Sequence, residues 1–171
     1  AVIANANRAF QTAGMSANQY MSTVTSFAAS LMQSLGNDTE QATRYADMAI
    51  TDMSDNANKM GTSMELIQNA YQGFAKQNYT MLDNLKLGYG GTRSEMERLL
   101  KTASEIKAAQ GEYTEYSIDS YADIVEAIHV VQEEMGITGT TALEAATTIE
   151  GSMNSAKAAW DNFLSGSGSA E

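Results

Sequence analysis

His129 is the single histidine of the chain, and it sits in a helical pattern with Glu126 three residues before it and Glu133 four after. An imidazole flanked by carboxylates could hold a metal ion or relay a proton. A metal site needs three or four converging ligands, and a chain with no cysteine and one histidine offers few of them. A structural or surface role is therefore expected for His129. Glu133 and Glu134 are neighbouring carboxylates. Adjacent helical residues point about 100° apart, so the two cannot flank one bond as an acid–base pair must. Gly88-Tyr-Gly-Gly91 leads into a helix start, as a phosphate-binding loop does. It lacks the Gly-Lys-Ser/Thr that would supply a lysine and a metal-bound hydroxyl, so a turn is expected. Neither a GxSxG elbow nor an H-E-x-x-H helix is present. The residues thus predict no enzyme, no catalytic or metal-binding residues and no cofactor.

The elements that carry these residues are helices. Met64, Ile67, Tyr71 and Phe74 share one helical face. An apolar connector follows, Tyr79 to Tyr89, whose Tyr79, Met81, Leu82, Leu85, Leu87 and Tyr89 must be covered by something. They are expected either to pack into the core or to form a protein-interaction surface. Gly88–Gly91 reads as a hinge, and Thr92-Arg-Ser-Glu95 as a capping box that opens the next helix, with Met96, Leu99, Leu100, Ala103 and Ile106 inward. Upstream, a first helix covers about Ala1 to Ala13. A second carries Tyr20, Val24, Phe27, Leu31 and Leu35 on one face, and a third has the small-residue stripe Ala42, Ala46, Ala49, Met53, Ala57 and Met60. Thr62-Ser-Met-Glu65 is expected to cap the helix of Met64. Downstream, Ala108–Ser117 is polar and turn-like, and a sixth helix from about Asp119 to Met135 turns Tyr121, Val125, Ile128 and Met135 inward. Thr141-Ala-Leu-Glu144 caps a seventh with Ile149, Met153, Ala156, Trp160, Phe163 and Leu164.

Glycine stops at Gly14, Gly36, Gly61, Gly91 and Gly139 separate these helices at irregular intervals, which excludes a fixed-period solenoid. The expected fold is all-α, a compact bundle of about six to seven antiparallel helices joined by glycine-containing turns. A single domain over 1–164 is followed by a flexible Gly/Ser-rich end, 165–171. The chain opens without methionine inside a helix-like pattern, so an excerpt of a longer protein is expected.

Among the 171 residues there is no proline, and eleven are methionine, an adaptable core filler. Net charge is −11 and unevenly spread: −3 over 1–85, +2 over 86–107 and −10 over 108–171. An acidic surface repels phosphate backbones, so no nucleic-acid binding is expected. The basic island of Lys86, Arg93, Arg98, Lys101 and Lys107 is interleaved with glutamates, and Glu97–Lys101 and Glu95–Arg98 read as helix-surface pairs. No apolar run approaches the ~18 residues that span a bilayer.

The run Asn69 to Thr92, NAYQGFAKQNYTMLDNLKLGYGGT, with Ser94-Glu95-Met96 and Leu99-Leu100 after it, resembles phage tail tape measure proteins. The closest likeness is to those of siphovirus-type and related contractile-tail prophages of Gram-positive bacteria. Asp52–Gly61, Glu126–Val131 with Met135–Thr141, and Ser152–Trp160 resemble the same family, so the likeness spans about residues 15–165. Ser104–Ser120 departs from it with a polar insert of its own. The resemblance implies a virion structural protein in the tail lumen, made in the host cytoplasm, that sets tail length during assembly. Its implied partners are tail tube, tail-tip or baseplate and tail assembly chaperone proteins, with self-association left open. It implies no catalytic residues here. The glycine stops favour a compact docking module over a continuous helical ruler. A chemoreceptor-like sensory bundle is the alternative, but it needs long uninterrupted heptads. A small secreted helical effector would want a Trp-x-Gly turn, and Asn162 follows Trp160 at the third position.

Overall fold

The computed structural model describes residues 28–138. The expected first and seventh helices, the caps at Ser16 and Thr141, and the stripe from Ile149 to Leu164 lie outside them, as does the 165–171 end. Helical backbone at 28–34 leads in, followed by α1 (Thr39–Met60), α2 (Met64–Ala75), a 3-10 turn (Leu82–Leu85), α3 (Arg93–Ala109) and α4 (Tyr121–Glu134). No strand occurs among the described residues, and the chain there is all-α.

Local chemistry explains the boundaries. Asp38 caps α1 by accepting from the Gln41 amide, and Gly61 ends it at φ 70° with its own amide on the Ala57 carbonyl. A left-handed residue there favours glycine, which has no Cβ to clash. Ser63, not Thr62, caps α2, accepting from Leu66. Thr62 instead donates its hydroxyl to Asn56. Thr92 caps α3 through the Glu95 amide, but the reciprocal half of the expected box is absent because the Glu95 carboxylate is engaged by Gly90 and Arg98. Ser120 caps α4 by accepting from the Asp123 amide.

The packing centres on α4, which lies against α1, α2 and α3. Nine of its residues are buried: Tyr121, Ala122, Ile124, Val125, Ala127, Ile128, Val130, Val131 and Gln132. Burial on nearly every side marks a helix enclosed by its neighbours. The α1 stripe meets it through Ala42, Ala46, Ala49, Ile50 and Met53, all buried. Alanines allow the helix axes to approach closely. Ala57 and Met60 are only partly covered. Met135, expected inward, is 45% exposed, because α4 ends at Glu134 and Gly136 turns the backbone at φ 74°. Ile137 takes the inward position instead.

Candidate functional site

The connector is a wall of the core. Tyr79, Leu82, Leu85, Leu87 and Tyr89 are buried, and the Phe74 ring lies 6.4 Å from that of Tyr79, nearly parallel to it. Met81 alone of the six remains 40% exposed, so the expectation that all six are covered fails for Met81. It sits where the 3-10 turn begins and faces outward. The Asn84 amide bonds the Met81 carbonyl, and its side chain reaches the Leu66 carbonyl.

Gly88–Gly91 is a pinned corner, not a hinge. Arg98 donates to the Gly88 carbonyl at 2.8 Å, grips Glu95 and lies 4.2 Å from the centroid of the Tyr89 ring. Glu95 in turn accepts from the Gly90 amide at 2.9 Å. Its hydrogen bonds from Arg98 and Gly90 pull its pKa down to about 2. Arg98 therefore does more than decorate a solvated face. Glu97 meets Arg93 at 3.6 Å, an exposed pair of small worth, in place of the expected partner Lys101.

The most developed polar site lies between α1 and α4. His129 Nδ1 is 3.1 Å from both carboxylate oxygens of Asp52. The Asp52 side chain is 0% exposed and that of His129 27%. With Asp52 ionised, its carboxylate only accepts, and Nδ1 then carries the hydrogen. Thr138 donates to Asp52 Oδ1 at 3.1 Å. Gln132 donates to the Asp52 carbonyl at 3.1 Å. Asn56 donates to both Gln132 Oε1 and the Leu85 carbonyl at 2.9 Å and accepts from Thr62 at 2.7 Å. This chain of bonds ties α1, α4, the 3-10 turn and the α1–α2 junction together. A second knot joins α1 to the segment before α4: Glu126 accepts from the Tyr45 hydroxyl at 2.7 Å and from Tyr116 at 2.8 Å. Burial and Glu126 together push Tyr45 up to about 12.

Chemically, the arrangement binds its own parts. The Thr138 hydroxyl meets the carboxylate and not the imidazole, whereas a nucleophilic triad places the hydroxyl on the far imidazole nitrogen. Among the described residues no three His, Cys, Asp or Glu side chains are grouped to hold a metal ion. Glu133 and Glu134 are both exposed at the end of α4. Nothing among known families, curated proteins or solved structures matches this chain. Within the described residues no helix is long and apolar enough to cross a membrane.

Sequence reasoning found His129 but missed Asp47, Asp52, Asn56 and Gln132, all buried. A signal was present. Asn56 follows Ala49 by seven residues and Asp52 by four, so both continue the alanine stripe rather than the solvent face. Their polar identity concealed that register.

These buried acids set the pH dependence. Burial, then the nearby Asp52, raises Asp47 from 3.8 to about 7. Its Oδ1 has no hydrogen-bond partner. A folded pKa above the unfolded one means stability that is full below pH 3.8 and lost as pH rises through about 7. Glu95 acts oppositely: its contribution is present above 4.5 and lost as pH falls toward about 2. The domain should therefore be most stable in mild acid and weaken toward neutrality. At about 1.4 kcal/mol per pKa unit, the advantage of Asp47→Asn over the parent should grow by about 2–4 kcal/mol from pH 4 to pH 8. Urea titrations at both pH values measure it; a constant difference would mean that Asp47 ionises normally.

Proposed function

We propose that this chain is a structural segment of a phage tail tape measure protein, working as a folded docking module and not as a graduated ruler. The observation that carries the mechanism is the stop at Gly61. The longest helix lying whole within the described residues, α1, has 22 residues and ends in a left-handed glycine, after which α2 packs back against α1. A ruler would run on at 1.5 Å per residue. The family itself rests on the run Asn69–Thr92 and its flanking likenesses. In this reading the full segment is a bundle of six to seven antiparallel helices without catalytic activity. It acts in the tail lumen through contacts with tube, tail-tip and chaperone proteins. Five of the six connector residues hold the module together, which leaves Met81 as the one free to meet a partner.

The test is an in-frame deletion of residues 28–138 from the parent chain, with tail lengths measured by negative-stain microscopy. A docking module predicts failed assembly or a loss of length control. A graduated ruler predicts tails uniformly shorter by roughly 165 Å, from 1.5 Å per helical residue. Normal tails of unchanged length would overturn the functional reading altogether.

A further inference from the structure

The cluster between α1 and α4 encloses a buried carboxylate, Asp52, against His129 and Thr138. We infer that Asp52, His129 and Thr138 form a proton-controlled latch, which keeps the segment leaving α4 closed on α1 while the imidazole is charged. Several contacts seat the segment. Gly136 turns it back, the Ile137 and Thr138 amides bond the Gln132 carbonyl at 2.8 and 3.3 Å, and the Thr138 hydroxyl lies on Asp52. Ile137 is 1% exposed, so closing the segment covers the carboxylate and an apolar side chain together.

With His129 charged, the Asp52 carboxylate is neutralised in place. Once the imidazole loses its charge, a fully buried carboxylate keeps only neutral donors, and its relief is water. Thr138 and Ile137 are the lid that must lift to admit it. The groups acting on the pair have mostly the same sign. Asp55 and Asp47 lie on α1, Glu126 and Glu133 on α4, and Tyr71 comes from α2. Burial pulls His129 down, but the hydrogen bond and charge of Asp52, with Glu133 and Glu126, outweigh it, and the net shift is upward. Burial also raises Asp52, against the pull of His129 and Thr138. The raised His129 keeps its proton, and with it the closed state, below pH 6.5 and gives it up as pH rises through its folded pKa. The raised Asp52 adds a separate loss of stability as pH rises above 3.8.

Amide hydrogen exchange on the whole chain tests the latch, in an Asp47→Asn background so that Asp47 does not contribute. Between about pH 5.5 and 8.5, after correction for intrinsic exchange, protection at Ile137 and Thr138 should fall about tenfold or more. Protection at Leu99 and Ala103 of α3 should hold. His129→Gln should remove the step at the imidazole midpoint and leave only the titration of Asp52. The imidazole titration followed by NMR should share its midpoint with the loss of protection, a check that needs no further variant. Protection at Ile137 and Thr138 that stays flat, a loss equal to that in α3, or a step at the imidazole midpoint that survives in His129→Gln would overturn the latch, as would separate midpoints.

Discussion

Leu85→Ala should destabilise the domain by about 2–5 kcal/mol, the usual cost of emptying a buried leucine site, while Met81→Ala, four residues away, should stay within about 0.5 kcal/mol. The two residues belong to one apolar connector, yet Leu85 is 0% exposed and Met81 40%. Truncating Leu85 removes apolar atoms beneath a carbonyl that Asn56 grips. The cavity thus opens beside the polar network, where the fixed hydrogen bonds limit collapse. Urea unfolding with an unchanged slope is the measurement. Equal losses for the two variants would show that the connector is not seated as described. A partner-binding defect in Met81→Ala at unchanged stability would support its availability as a contact.

Gly91→Ala should be comparably severe, at about 3 kcal/mol or more, for another reason. A Cβ at Gly91 would stand 2.2 Å from the Thr80 carbonyl oxygen and 2.8 Å from its carbon. Both are backbone atoms and cannot turn aside as a side-chain end can, so the cost lies at or beyond the upper end of ordinary overpacking. The corner can relieve the clash only by parting Gly91 from Thr80. That movement would strain the grip of Arg98 on Gly88 and of Glu95 on Gly90. Gly88→Ala is the informative comparison. Nothing lies within 4 Å of its added Cβ, but its φ of 95° is itself unfavourable for an L-residue. Thermal unfolding should therefore rank Gly91→Ala below Gly88→Ala, and the reverse order would refute the close approach.

Much of the helical order was legible along the chain. The Met64–Phe74 face, the alanine stripe of α1, the Gly61 stop and the Thr92 cap are local patterns, fixed by periods of 3.6 and by single hydrogen bonds. The apolar connector stands out along the chain, but α4 is the element around which the others pack. Periodicity names an inward face; it does not reveal that a helix is enclosed on several.

What the sequence by itself determined, for the described residues, is the all-α class, the helix boundaries to within a residue or two, and the small store of reactive side chains. Each of these follows from residue type and near-neighbour spacing. Tertiary structure alone decided that Asp52 and His129, 77 positions apart, form one buried pair, that Asn56 reaches Leu85, and that Arg98 makes a corner of an expected hinge. A carboxylate in a helix reads as solvent-facing because burying it alone is costly. Only the partner brought against it by the fold offsets part of that cost, and no local pattern in the chain records which partner that is.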